Sequence, residues 1–284
     1  MAQDMALWQR LTPLYPEREA RALVRWVLDV RFGLSLTDIV CGRLAELSAD
    51  ERKTLDTILT RVAAGEPVQY VLGTAYFCGR PFHVEPGVLI PRPETEALCE
   101  WVLSAEADRW PEAFRILDVG TGSGCIAITL ALGLPKAHVT AVDISHAALR
   151  IAQSNAQNLN APNITFQPLD ILNPAIHHPS SIFNLIISNP PYICQHERKT
   201  MASNVLDHEP HEALFVPDAD PLLFYRAIAR YALEVLTPGG RLYFELNPLS
   251  ADATVDLLAG LGFIHTEVRP DPFGRRRLLQ TTRP

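Results

Sequence analysis

The 284-residue chain is poor in everything that would hold a protein together without a hydrophobic core. Its five cysteines (Cys41, Cys78, Cys99, Cys125, Cys194) are scattered, odd in number and free of any C-x-x-C pair, which excludes a disulfide framework and leaves them as core or bystander thiols of a reduced protein. No apolar run approaches the roughly 20 residues that a membrane span needs. The opening "MAQDMALWQR" lacks the basic segment and apolar stretch of a leader, so a soluble, cytoplasmic protein is expected. Positive charge is also short: 25 Lys and Arg stand against 32 Asp and Glu, a formal net charge of −7, which argues against a wide grip on a phosphate backbone. What is present is 48% hydrophobic content, ample for one large α/β domain or a large domain with a small one.

Residues 1 to 72 read as a small helical domain. "PEREARALVRWVLDVRFG" places Ala20, Leu23, Val24, Val27 and Leu28 on one helical stripe between Pro16 and Gly33. "SADERKTLDTILTRVAAG" repeats the pattern, with Ser48 or Asp50 as its cap and Gly65 at its close. Residues 1 to 84 hold 10 Lys and Arg and 10 Asp and Glu, so this part is no basic clamp for nucleic acid. "TAYFCGRPFHV" alternates around Gly79 as a hairpin, giving a linker over 73–90, and a proline-rich turn then leads into a helix. Beyond Phe114 the branched runs "RILDVG", "HVTAVDI", "ITFQPLD", "NLIISN" and "RLYFELN" alternate with helical segments such as "SHAALRIAQSNAQ". That alternation predicts βαβ units and a doubly wound parallel sheet over 91–284. Only "PDPFG" separates the two last strand-like runs, too short for a helical crossover, so they should end the sheet as an antiparallel pair.

"ILDVGTGSGCIAITLAL" is a strand, a glycine loop and a helix. Gly120, Gly122 and Gly124, with Thr121 and Ser123 between them, let the chain turn sharply and let a ligand reach amides at a helix N-terminus. A tight βα turn with glycines for geometry alone is the lesser reading of the loop taken by itself. The second strand, however, ends in Asp143, at the distance expected of an acid that accepts hydrogen bonds from a ribose diol. Cys125 stands where a dinucleotide fingerprint would have its third glycine, and Asp118 precedes the loop. This pattern resembles the first motif of class I S-adenosylmethionine-dependent methyltransferases. A third strand ends in Asp170, which in that superfamily meets the adenine amino group beside an apolar cover, here Ile171; a simple turn cap is the other reading of Asp170.

A fourth strand, "FNLIIS", stops on Asn189-Pro190-Pro191-Tyr192. The prolines lack backbone donors and restrict both themselves and the residues before them. At the carboxyl edge of such a sheet, the Asn189 side-chain oxygen and the Pro190 backbone oxygen form an acceptor pair for the two N–H groups of a planar amine or carboxamide. Tyr192 would pack on the flat group. This is positioning and electrostatic assistance rather than strong base catalysis. Alone, the tetrapeptide also reads as a stiff polar strand end.

"GEPVQYVLGTAYFCGRPFHVEPGVLIPRPETE", followed by "LDVGTGSGCIAI" and "SNPPYI", closely resembles the bacterial release factor glutamine methyltransferases, the HemK/PrmC family, from about Gly65 to the C-terminus. The resemblance implies a Rossmann-like methyltransferase sheet and methyl transfer from S-adenosylmethionine to the glutamine amide of the Gly-Gly-Gln loop in class I peptide chain release factors. It carries cofactor contacts onto Gly120 to Gly124, Asp143, Asp170, Ile171 and Asn189, and the glutamine pocket onto Asn189, Pro190, Pro191 and Tyr192. Arg92 and Glu94 to Glu96 fall at the domain entry, where a proline turn with acids at a helix N-terminus is an equal reading. Two positions depart from the family pattern: His211 where an arginine is usual, which puts an ion pair in doubt, and Asn247 where glycine is common, which suggests a changed turn.

His208, Glu209, His211 and Glu212 invite a metal, but Pro210 breaks the helix such spacing requires, and a polar, partly solvated loop is expected instead. "GRRRLL" reads as an edge strand guarded by charge. Three other functions share parts of this pattern. An adenine-amino methyltransferase would use the same pocket for a flipped base, a ribosomal-protein glutamine methyltransferase would differ only in target, and a non-catalytic module would fail to bind the cofactor. The neutral first 84 residues count against the nucleic-acid reading, and no membrane contact is expected.

Overall fold

A computed structural model describes residues 7–107, 109–110, 112–173 and 182–284. The chain divides into two compact units, one comprising Met1–Thr74 with Met201–His208, the other Ala75–Thr200 with Glu209–Pro284. No helix among the described residues is long and apolar enough to cross a membrane.

The first unit is helical, with α1 Glu17–Phe32, α2 Leu36–Val40, α3 Ala49–Ala63, α4 Val68–Leu72 and α8 Ser203–His208. In α1 the stripe Ala20, Val24, Val27 and Leu28 is buried and Leu23 packs beside it, while Gly33 closes the helix at φ 64°. Ser48 caps α3: its hydroxyl accepts from the Glu51 amide and the Glu51 carboxylate accepts from the Ser48 amide, a reciprocal box. Leu55, Ile58, Leu59 and Val62 then face the same core as α1. Each such side chain, fully buried, contributes roughly 1.5–3 kcal/mol of transfer free energy.

Where the second unit begins, β1 (Thr74–Phe77) and β2 (Arg80–His83) form a hairpin. Its two-residue turn has Cys78 at φ 47° and Gly79 at φ 74°, the left-handed pair that suits the twist of the strands. The main sheet has seven strands in the order β10-β11-β9-β6-β3-β4-β5. They are β3 Phe114–Val119, β4 Ala137–Asp143, β5 Ile164–Pro168, β6 Phe183–Ser188, β9 Leu236–Glu245, β10 Ile264–Pro270 and β11 Arg276–Thr282, while β7 Ile193–Cys194 and β8 Phe215–Val216 pair separately. The pairs β3/β4, β3/β6, β4/β5 and β6/β9 are parallel. The helices are α5 Pro93–Glu106, α6 Cys125–Gly133, α7 His146–Asn158, α9 Leu223–Val235 and α10 Ala251–Gly260. Two apolar layers hold the sheet: Leu98, Val102, Ile126 and Leu130 belong to one, and Tyr225, Ile228, Ala232 and Leu258 to the other. This is the doubly wound α/β architecture that the alternation predicts.

One expectation about the tail fails. β11 pairs antiparallel with β10, as expected, but it is inserted between β10 and β9 and so is not an edge strand. Consequently Arg277 is 8% exposed and serves as an internal cation, while Arg276 alone of the strand's arginines pairs outward, with Asp252. The antiparallel register of two neighbouring strands says nothing about which of them meets the rest of the sheet, so the guarded-edge reading had no way to see this.

Candidate active site

The carboxyl ends of β3, β4 and β6 bring their loops to one cleft of the second unit. Gly120 and Gly122 follow β3, Asp143 ends β4, Asp170 and Ile171 follow β5, and Asn189, Pro190 and Pro191 follow β6; all of these line it. So do Gly87, Val88 and Leu89 from the segment before α5, and Glu212 and Ala213, none of which the sequence singled out as cofactor contacts. Thr121, Ser123, Gly124 and Tyr192 do not line the cleft. Thr121 and Ser123 are buried, and Gly124 caps α6 at φ 82°. A Cβ on Gly124 would lie 3.0 Å from the Ala152 Cβ, so this glycine serves the approach of α6 to α7. At Gly120 and Gly122, by contrast, an added Cβ would meet nothing within 4 Å, which leaves an open cradle against the loop.

Asp143 holds that cradle in place. Its Oδ2 accepts from the Gly122 amide and its Oδ1 from the Ser145 amide, each at 2.9 Å. Burial pushes its carboxyl above the ordinary carboxylate value, against these hydrogen bonds. Each oxygen retains acceptor capacity for a diol. Exposed Ile144 and Leu172, with Ile171, add apolar surface on which a flat ring can lie. Asp170 lines the cleft, and its Oδ1 accepts from the Leu172 amide as a turn cap. The amides of Gly120 and Thr121 donate to the Val142 carbonyl, that of Gly122 to Asp143 and that of Gly124 to the Thr121 carbonyl, so the loop offers close backbone approach rather than free amides. That approach, an acid with acceptor capacity at the cleft and an apolar slot together fit a nucleoside with an amino-acid arm.

Asp118 braces the loop from beneath. Its Oδ2 accepts from Thr121 Oγ1 at 2.7 Å and from the Ala127 amide at 3.2 Å, while Oδ1 is buried without a partner among the described residues. Burial, with a smaller contribution from the Asp143 charge, pushes the carboxyl up to about 7. Because this folded value exceeds the unfolded one, the group's contribution to stability is fully present below about pH 4 and is lost as pH rises through about 7. Asp118→Asn should therefore remove up to about 4 kcal/mol of the fall in unfolding free energy between pH 4 and pH 8. Urea unfolding at several pH values checks this, and parallel wild-type and variant curves would contradict it.

The N-P-P-Y segment is tied on both sides. Asn189 Nδ2 donates to Thr95 Oγ1 at 3.1 Å, and among the described residues nothing donates to Asn189 Oδ1 or to the Pro190 carbonyl. Tyr192 Oη donates to Glu245 Oε1 and accepts from Arg277 Nη1, both at 2.9 Å. The tyrosine hydroxyl is thus turned toward the end of β9. Asn247 explains its own departure from the family pattern: its Oδ1 accepts from the Leu249 amide, and its Nδ2 donates to the Tyr192 carbonyl at 3.1 Å and to Glu197 at 2.9 Å. The turn after β9 is thereby fastened to the segment beside the cleft.

Arg92 and Glu209 form an ion pair, and Glu209 Oε2 also accepts from the Ile90 amide. Glu209 is 4% exposed, so the solvated-loop expectation holds for His211 and Glu212, which are exposed, but not for Glu209. Its burial follows from the guanidinium and amide that satisfy it. A grouping unseen in the sequence is Cys194, His196 and Asp218, whose ligand-type atoms lie within 4.8 Å of one another; His196 Nδ1 and Asp218 Oδ1 are already paired at 2.9 Å.

Comparison with known proteins decides the family. The chain is 43% identical over 275 residues to the release factor glutamine methyltransferase of Bacteroides thetaiotaomicron, a span of 97% of each chain. It belongs to the release factor glutamine methyltransferase family. The Flavobacterium psychrophilum member is 40% identical over 273 residues, 96% of this chain and 95% of that one. A methyltransferase domain profile matches residues 112–253, and a PrmC N-terminal domain profile matches residues 9–73. A methyltransferase structure from Pyrococcus furiosus superposes with a TM-score of 0.52 at 16% identity, over 78% of this chain and 96% of that one, and shares the fold.

Proposed function

We propose that this family member transfers a methyl group from S-adenosylmethionine to the side-chain amide nitrogen of the glutamine in the Gly-Gly-Gln loop of class I release factors. The observation that carries this reading is Asn189, which stands in the wall of the cleft with Nδ2 engaged and, among the described residues, no donor to Oδ1 or to the Pro190 carbonyl beside it. S-adenosylmethionine supplies an electrophilic methyl on a sulfonium. Gly120 and Gly122, Asp143, Asp170 and Ile171 would hold it through close backbone approach, acids and apolar surface, while Thr121, Ser123 and Gly124 shape the loop from within. Asn189 and Pro190 accept the two N–H groups of the substrate amide and so orient its nitrogen. A carboxamide nitrogen is a weak nucleophile because its lone pair is delocalised, and holding it at attack geometry between two acceptors is the assistance the site can give. The nitrogen–methyl bond forms as the sulfur–methyl bond breaks, which leaves a neutral thioether, and the proton of the then cationic amide nitrogen passes to water, so no strong base is needed. Pro191 stiffens the segment, and Tyr192 anchors its far end.

In this reading residues 1–72 form the domain that recognises the release factor, 73–90 the linker and 91–284 the catalytic domain, in a cytoplasmic protein that contacts neither membrane nor nucleic acid. Labelled S-adenosylmethionine, incubated with the protein and a class I release factor, should place one methyl on the Gly-Gly-Gln glutamine, located by peptide mass spectrometry. Replacing that glutamine should abolish labelling. Label in nucleic acid, in a ribosomal protein instead, or in the glutamine-less factor would overturn the assignment.

A further inference from the structure

Thr95 and Glu245 lie outside the cleft, yet they decide which way Asn189 faces. Thr95 sits in the first turn of α5 and is 3% exposed, and Glu245 ends β9 and is 1% exposed. Thr95 Oγ1 donates to Glu245 Oε2 at 2.6 Å and accepts from Asn189 Nδ2 at 3.1 Å. A hydroxyl has one hydrogen, and a carboxylate offers only acceptors. With that hydrogen given to Glu245, Thr95 can only accept, and of the two ends of the Asn189 amide only Nδ2 can donate. A flipped amide would set Oδ1 against Oγ1 with no hydrogen between them. The oxygen and nitrogen of an amide are close to the same size, so packing by itself would not choose between these orientations, and a flipped Asn189 would offer donors to a substrate that also brings donors.

The same carboxylate accepts from Tyr192 Oη through Oε1, so it ties both ends of the N-P-P-Y segment. Arg277 lies 3.9 Å from it and is itself paired with Asp271 at 3.1 Å, which places a compensating positive charge beside a buried negative one. Burial raises the Glu245 carboxyl above its ordinary value, and the Thr95, Tyr192 and Arg277 interactions oppose that rise.

We infer that Thr95 and Glu245 are positioning residues for methyl transfer, a two-bond relay in which Glu245 orients the Thr95 hydroxyl and Thr95 orients the Asn189 amide with its oxygen toward the substrate. This rests on the reading that Asn189 accepts from a glutamine amide. The test compares Thr95→Val, which keeps the shape and removes the hydroxyl, with Thr95→Ser, which restores it. Turnover, cofactor affinity, melting temperature and the nitrogen-15 resonance of the Asn189 side-chain NH2, assigned by its loss in Asn189→Ala, are read in each. Thr95→Val should lower kcat by roughly 10- to 100-fold, as loss of a buried orienting hydrogen bond does, with cofactor affinity within about threefold. Its Asn189 resonance should shift, and Thr95→Ser should recover most of the rate and the wild-type resonance. Wild-type kcat and resonance in Thr95→Val, or a serine variant as slow as the valine one, would overturn the relay. If the wild-type protein places no methyl on release-factor glutamine, the functional reading fails separately, and the resonance comparison still decides whether Thr95 sets the Asn189 amide.

Discussion

Asn189→Ala should lower kcat by about 10³-fold, because it removes an acceptor used most strongly when charge develops on the attacking nitrogen. The dissociation constant for S-adenosylmethionine should stay within about threefold of wild type. The two effects separate if, as proposed, the glycine loop and Asp143 hold the cofactor independently of Asn189, whose only side-chain partner among the described residues is Thr95. Single-turnover rates and calorimetric cofactor binding measure the two quantities. Equal losses in both would make Asn189 chiefly a cofactor contact and leave the acceptor role to Pro190.

Asp143→Ala should show the opposite division. The aspartate braces the Gly122 and Ser145 amides and faces the cleft, so its loss slackens the glycine loop and removes the acceptor for a ribose diol together. Hydrogen bonds to a charged group contribute roughly 1.5–3 kcal/mol each, so cofactor affinity should fall by about 10²-fold. At saturating cofactor, kcat should change little, since Asp143 does not touch the N-P-P-Y segment. Binding titrations at fixed pH test this, and undiminished affinity would show that Asp143 only shapes the loop.

Much of the second unit could be read along the chain because its signals are local. The alternation of "HVTAVDI" with "SHAALRIAQSNAQ" expresses the periods of a buried strand and a half-buried helix, and Ser145 caps that helix by accepting from the Ala148 amide. Glycine at 120, 122 and 124 and proline at 190 and 191 each impose backbone geometry that needs no distant partner. For that reason a shared cleft for Gly120, Asp143 and Asn189 followed from strand ends alone. Tyr192 was harder: its position in the tetrapeptide was plain, but the direction of its hydroxyl depends on Glu245 and Arg277, which lie 53 and 85 residues further on.

By itself, the sequence determined the elements, the parallel winding of the sheet and the chemistry at the strand ends, since propensity, period and turn residues act over a few positions. Only the tertiary structure decided that β11 slips between β9 and β10, that Arg277 becomes an internal cation, that Glu209 is buried against Arg92, and that Thr95 meets a carboxylate 150 residues away. These are choices among partners distant in sequence. They are settled by which buried charges and donors can be satisfied together when the whole sheet closes, and no short stretch of chain carries that information.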